Sequence, residues 1–185
     1  FYRQAADKYV EIKDMAKEGF ARSNIAMQLI KLQCFSEARQ ELLRAIECIK
    51  HFGHAATPWK AWNILCDLEK AEGNPGAAEK ARQQAISLYL AYRWDGGENH
   101  EPGGRLCLMV RQALQEHKEK EMAAMFAAVI EQPGISSSRK ALISKLLALL
   151  AGSRDPRLAE DPELDFDDAA EVKMLLEEMS PIHRQ

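Results

Sequence analysis

The chain has 185 residues, with 28 acidic and 25 basic side chains and a formal net charge of −3. This length supports a hydrophobic core without disulfides or metals, and 46% hydrophobic residues exclude an intrinsically disordered chain. The near balance of charge argues against binding nucleic acid by bulk electrostatic attraction. The longest apolar run, residues 122–130, is far shorter than the roughly 20 residues of a membrane span. We therefore expect neither a nucleic-acid partner nor a membrane.

The cysteines and the first residues indicate the setting of the chain. The four cysteines include no C-x-x-C pair, and three lie in helical patterns, which predicts reduced thiols in a cytoplasmic protein. The chain starts with Phe1, and helical periodicity begins at once without a basic and apolar leader. We interpret the sequence as a fragment of a longer protein.

Small and apolar residues recur at a spacing of 40 residues in the first half of the chain. The matching positions are Ala5, Ala45 and Ala85; Ala38 and Ala78; Ile25 and Leu65; and Ala26 and Cys66. Because several positions share one register, the spacing indicates a structural period.

Each period contains the patterns of two helices. Proline and candidate N-cap residues mark their starts: Ser36, Thr57 before Pro58, and Asn74 before Pro75. The predicted helices cover residues 1–16, 18–33, 36–51, 58–73 and 75–94. A partial unit at residues 1–16 is followed by full units at about 17–56 and 57–94.

These residues resemble the tetratricopeptide repeat family over residues 1–94. Trp62, Leu65 and Cys66 match the bulky, large aliphatic and small positions of its first helix, and small residues seven apart match its second helix. Small side chains at these positions let paired helices approach closely. Gly73 matches the turn glycine of the family. The alternative is an unrelated antiparallel helical bundle.

Three features depart from the family pattern. Arg22 replaces a bulky residue, and Gln33 replaces a turn glycine. The spacing of 40 exceeds the family's roughly 34 residues, so we expect a longer second helix or a longer loop after it. This variant is similar to the extended repeats of bacterial multidomain signalling proteins.

The resemblance implies an all-α superhelix of antiparallel helix pairs, with a concave groove lined by the first helix of each unit. Carried over by register, the groove residues are Phe20, Ser23, Asn24, Met27, Lys31, Lys60, Asn63, Asp67 and Lys70. Such a surface suits an extended peptide or a helix. Asn24 matches an asparagine that some members use to clamp a terminal carboxylate, but the accompanying basic residues are not reproduced. We expect a non-catalytic scaffold module without cofactors, unless the groove is filled by the chain's own C-terminal helices.

The second half carries more acidic than basic residues and reads as a helical cap on the repeats. Residues 95–104 predict a glycine-rich turn, and no strand or Gly-Lys-Ser/Thr sequence accompanies it as in a phosphate loop. Predicted helices cover 106–117 and 119–131, which could be one interrupted helix, then 136–151 and 167–179. The cap spans 105–185 with an acidic connector at 153–168. We expect residues 105–151 to pack on the helix at 75–93, and the last helix to fold back.

The alternative role is architectural, with the chain capping the array and forming a homo-oligomer through residues 142–150 or 172–179. Three other clusters were weighed as sites. Cys48, His51 and His54 lack a fourth zinc ligand nearby in sequence. His100, between Glu98 and Glu101, lacks a nucleophile or metal beside it. The acidic connector lacks the spacing of a calcium loop and is interpreted as solvated, or as a contact for a basic partner. We therefore expect no catalytic residue and no metal ligand.

Overall fold

The computed structural model describes residues 2–180, which form nine α-helices and two 3-10 helices without a β-strand. The predicted all-α class is confirmed. The helices are α1 (Tyr2–Glu11), α2 (Met15–Lys31), α3 (Phe35–Ile49), α4 (Pro58–Ala71), α5 (Pro75–Trp94), α6 (Pro102–Gln115), α7 (Glu119–Ile130), α8 (Ser137–Leu150) and α9 (Phe166–Glu178). The 3-10 helices are Gly53–Ala56 and Pro156–Ala159. Within the described range, no helix has both the length and the apolar character that a membrane crossing requires.

Two compact units divide the chain, one up to Leu88 and one from Tyr89 onward. The boundary falls inside α5, so its first part belongs to the first unit and its last turns to the second. In the first unit, α2 packs on α1 and α3, and α3 packs on α4.

The core of the first unit follows the register of 40 residues. Both members of each pair are buried: Ala45 and Ala85, Ala38 and Ala78, Ile25 and Leu65, and Ala26 and Cys66. Ala5 departs from this register, because it is half-buried and its neighbour Ala6 is the buried residue of α1. The recurring small residues therefore lie in the core, as their spacing predicts.

The turns explain both the match and the excess length of the repeats. Gln33 and Gly73, which are 40 residues apart, both have left-handed backbone, with φ of 59° and 77°. The connection between α1 and α2 is short, whereas that between α3 and α4 contains the 3-10 helix Gly53–Ala56. The additional residues are thus in the loop that follows the second helix.

Two predicted helix caps are wrong. Ser36 lies inside the first turn of α3, because the helix begins at Phe35 after Cys34. Thr57 occupies the N-cap position of α4, but its hydroxyl makes no capping hydrogen bond. Asp14 provides the cap that the sequence interpretation missed, since its carboxylate accepts from the Lys17 amide and starts α2 at Met15.

Arg22, the departure from the bulky repeat residue, forms ion pairs in the structure. Its guanidinium donates to Glu18 at 2.8 Å and to Glu41 at 2.7 Å. Arg44 of α3 donates to the same Glu18 carboxylate at 2.9 Å. Buried Glu18 therefore joins α2 to α3 through two arginines, a role that an apolar side chain at position 22 would not serve.

In the second unit, α6 begins at Pro102, four residues before the predicted start at 106. Gly103 and Gly104 belong to its first turn, because other side chains lie directly against them. A Cβ on Gly103 would lie 1.7 Å from the Asp168 Oδ1, and one on Gly104 would lie 2.4 Å from the Asn99 Cγ. His117, with φ of 56°, separates α6 from α7, so the interpretation as one interrupted helix is wrong.

The leucine-rich helices of the second unit form its core. The α9 helix packs on α6, on α8 and on the 3-10 helix Pro156–Ala159. The buried apolar residues of these two helices are Leu142, Ile143, Leu146, Leu149, Leu150, Val172, Met174, Leu175 and Leu176. The stripes proposed as an oligomer surface at 142–150 and 172–179 are therefore used inside the unit, and that prediction is corrected. The connector is not wholly solvated either, since Ala159 and Leu164 are buried.

Candidate functional site

A pocket of about 490 Å³ lies in the first unit, between α1, α2 and the segment that leads into α4. Three aromatic rings line it: Tyr2 and Tyr9 of α1, and Phe20 of α2. Alanines from all three segments form much of the remaining lining: Ala5, Ala16, Ala21, Ala55 and Ala56. The small methyl groups leave the space that the rings enclose.

Helical spacing brings the lining residues of α2 onto one face. Ala16, Phe20 and Asn24 follow one another at intervals of four residues, so they lie along one side of the helix. Tyr2 and Tyr9, seven residues apart, lie two turns from each other on α1. The pocket is therefore bounded by two helix faces and by the loop after α3.

The aromatic residues at this surface are unusually accessible. Phe20 is 61% exposed and Tyr2 is 41% exposed. Apolar rings lose free energy in water, at about 25 cal/mol for each Å² left uncovered. A group of rings around a cavity therefore marks a surface that gains from being covered.

Lys17 lies at the rim with its charge held in place. Its Nζ is 5.9 Å from the centre of the Tyr9 ring and 3.0 Å from the Asp14 carboxylate. The hydrogen bond with Asp14 raises the pKa of Lys17, so the ammonium stays charged. The cation also polarises the face of the Tyr9 ring.

Two other polar groups of the pocket have no partner of their own. Among the described residues, neither the Asn24 amide nor the Lys60 ammonium forms a side-chain hydrogen bond or an ion pair. Thr57, beside Lys60, has left-handed backbone with φ of 44°, which is costly for a β-branched residue. The pocket thus combines apolar walls with unused donors, an arrangement typical of ligand sites.

Three of the predicted groove residues, Phe20, Asn24 and Lys60, line this pocket. The Ser23 hydroxyl instead donates to the Gly19 carbonyl at 3.0 Å. The others lie outside the lining, with Asn63 half-buried and the rest exposed: Met27, Lys31, Asp67 and Lys70. The pocket therefore occupies only part of the predicted groove.

The sequence interpretation missed the contribution of α1. Tyr2, Ala5, Ala6, Tyr9 and Ile12 were read as a stripe that faces the core. Ala6 is the buried residue of α1, and the tyrosines line the pocket. The only available signal was that both aromatic residues share one face with alanines, which leaves room beside the rings.

The other candidate clusters are not assembled into sites. Cys48 is packed in the core with Ile49 and Ala61, and burial raises the pKa of its thiol. Within residues 2–180, no group of three or more His, Cys, Asp and Glu side chains is placed to hold a metal ion. His100 is 3.3 Å from Glu98, but both side chains are highly exposed.

The second unit contains buried charged residues of a structural kind. Arg93 donates to Glu171 at 2.6 Å, and the Tyr89 hydroxyl lies 3.4 Å from the same carboxylate. Asp168 is 3% exposed and contacts the first turn of α6 at Gly103. Burial, and next the neighbouring Asp167, raise the pKa of Asp168 to about 7, against an opposing effect of Arg139.

The chain was compared with protein-family models, with curated proteins and with solved structures. None of the three comparisons gave a match. The functional interpretation consequently depends on the pocket itself.

Proposed function

We propose that the chain is a non-catalytic protein interaction module, with a tetratricopeptide-like first unit that holds a peptide or helix of a protein partner. The observation that carries this proposal is the pocket of about 490 Å³ with three aromatic rings and two unpartnered polar side chains. The free, unpaired state of the four cysteines supports a scaffold role in the cytoplasm, and the resemblance to extended repeats supports a bacterial setting.

The chemistry of the lining fits recognition better than catalysis. Aromatic walls supply binding energy when they are covered, and a few polar groups set the orientation of the bound chain. The polar lining residues are Lys17, Asn24, Thr57 and Lys60, which are donors or hydroxyls. These residues offer no activated nucleophile and no acid–base pair.

Selection of displayed random peptides against the whole chain tests the proposal. Peptides that are recovered should lose roughly 10-fold or more in affinity on Phe20→Ala, because that ring is an exposed wall of the pocket. Met27→Ala is the matched control, since Met27 is exposed on the same helix but outside the pocket lining.

Circular dichroism should show equal helicity for both variants, because neither side chain is part of the core. Recovered peptides whose binding is indifferent to Phe20→Ala would place recognition elsewhere. A selection that yields no peptide would contradict the proposed function.

A further inference from the structure

We infer that the pocket selects a segment with one bulky apolar side chain flanked by acidic residues. The inference rests on the proposed function and names the chemistry of the partner. Its two parts come from different observations, the space inside the pocket and the charge around it.

The space requires an anchor from the partner. A volume of about 490 Å³ lies within the roughly 300–1,000 Å³ typical of ligand pockets. The alanine lining leaves this space empty, and the rings of Tyr2, Tyr9 and Phe20 supply apolar walls. A large aromatic or aliphatic side chain fills such a pocket and covers the rings, as buried anchor residues do at protein interfaces.

The charge selects the residues beside the anchor. The lining contains Lys17 and Lys60 and no aspartate or glutamate. Asp14 partly neutralises Lys17, whereas Lys60 has no ionic partner among the described residues. A carboxylate next to the anchor gains a partner at Lys60, and the Asn24 amide can donate to it. A lysine or arginine there would face like charge, which costs affinity and excludes basic segments.

The carboxylates are assigned to side chains within the segment. Capture of a terminal carboxylate uses several converging donors, and the partner-free donors at this pocket are one ammonium and one amide. Such a sparse set suits a flexible acidic side chain that reaches the rim while the anchor occupies the interior.

Fluorescence anisotropy with synthetic peptides of equal length tests the inference on the full chain. All peptides are acetylated and amidated, so that side chains carry the only carboxylates. They have a tryptophan anchor with glutamate, serine or lysine flanks, or an alanine anchor with glutamate flanks. The tryptophan–glutamate peptide should bind at least about 10-fold more tightly than the others at low salt.

Charge reversal then locates the preference. Lys60→Glu should reverse the order, so that lysine flanks bind more tightly than glutamate flanks. Lys70→Glu is the matched control, because Lys70 is exposed on the same helix and outside the lining. It should leave the order unchanged.

Each remaining result overturns the inference. Equal binding of all flanks, or a preference for lysine in the unmodified chain, removes the charge rule while leaving peptide binding intact. Binding only after a free C-terminal carboxylate is restored assigns the site to chain ends. Self-association that Phe20→Ala abolishes assigns the pocket to a second copy of the chain. Absence of binding by all designed peptides, when the displayed-peptide selection succeeds, also rejects it without rejecting the proposed function.

Discussion

The two units treat buried carboxylates in opposite ways. In the first unit, Glu18 accepts hydrogen bonds from Arg22 and Arg44, and Glu69 accepts from Arg39 and Asn74. In the second unit, Asp168 is as deeply buried but has no hydrogen bond or ion pair within the described residues. The comparison shows that partners, rather than burial alone, decide which form of a buried carboxyl is favoured.

This difference predicts opposite responses to pH. Arg39 lowers the pKa of Glu69, and the two arginines lower that of Glu18 against the cost of burial. A lowered pKa stabilises the fold above the unfolded value, and this stability is lost as pH falls. The raised pKa of Asp168 gives the reverse, because stability present below its ordinary value of 3.8 is lost as pH rises to about 7.

The units also differ in how they use aromatic rings. The first leaves Phe20 and Tyr2 largely exposed around a cavity, whereas the second buries Tyr89 and Phe126. Rings that are covered contribute to folding, and rings that remain uncovered are available for binding. The comparison therefore assigns recognition to the first unit and a structural role to the core of the second.

The largest expected effect is that of Asp168→Asn. Removing a carboxyl whose pKa is raised to about 7 should stabilise the second unit by up to about 4 kcal/mol at pH 8, at roughly 1.4 kcal/mol for each pKa unit. The gain should vanish below about pH 4, where the carboxyl is protonated in both states. Hydrogen exchange of amides in α6, α8 and α9 measures it.

Glu163→Gln is the control for this substitution, because Glu163 is exposed in the connector before α9. It should leave exchange unchanged at both pH values. Equal protection for Asp168→Asn and the unmodified chain at high pH would mean that Asp168 is not a source of instability.

Gly103→Ala should destabilise the second unit by roughly 1–3 kcal/mol. The new Cβ would lie 1.7 Å from the Asp168 Oδ1, so α9 or the carboxyl must move. Gly76→Ala is the matched control, since no atom lies within 4 Å of its Cβ and alanine favours the helix by about 1 kcal/mol. Thermal unfolding should lower the Tm of the first variant and raise that of the second; equal shifts would contradict the close approach at Gly103.

Ala45→Leu tests the register of the first unit. Ala45 is fully buried, and a Cβ on Gly19 would already lie 3.0 Å from its carbonyl oxygen. We expect overpacking to cost roughly 1–3 kcal/mol in urea unfolding. Ala77→Leu, at an exposed position, should change stability little. An unchanged midpoint for Ala45→Leu would reject the register of 40 residues.

Thr57→Gly has the smallest expected effect. Relief of left-handed backbone at a β-branched residue should stabilise the start of α4 by roughly 1 kcal/mol. Gly53→Ala, where φ is 57°, is the opposite change in the same loop and should destabilise by a similar amount. Thermal unfolding of the pair checks both signs, and a destabilised Thr57→Gly would show that the Thr57 side chain stabilises the loop.

Much of the fold could be predicted because its signals are local. Pro58 and Pro75 mark the starts of α4 and α5, Gly73 marks a turn, and the Ser136 hydroxyl caps α8 by accepting from the Arg139 amide. The alanines at intervals of 40 residues identified the core because only small side chains fit between close helices.

The features that were missed depend on contacts distant in sequence. Gly103 and Gly104 looked like a turn, but they are helical because Asp168 and Asn99 lie against them. The stripes of α8 and α9 looked available for an oligomer until their packing with α6 was known. The pocket was only partly predicted, since the periodicity of Tyr2 and Tyr9 does not reveal whether a ring faces a core or a cavity.

Hydrogen exchange of the full chain with and without the tryptophan–glutamate peptide tests the assignment of recognition to the first unit most directly. Bound peptide should protect amides in α1, in α2 and at Gly53–Ala56, where the pocket lining lies, and should leave α6 to α9 unchanged. The same experiment on Phe20→Ala should show no protection. Protection confined to the second unit, or unaffected by Phe20→Ala, would contradict the account.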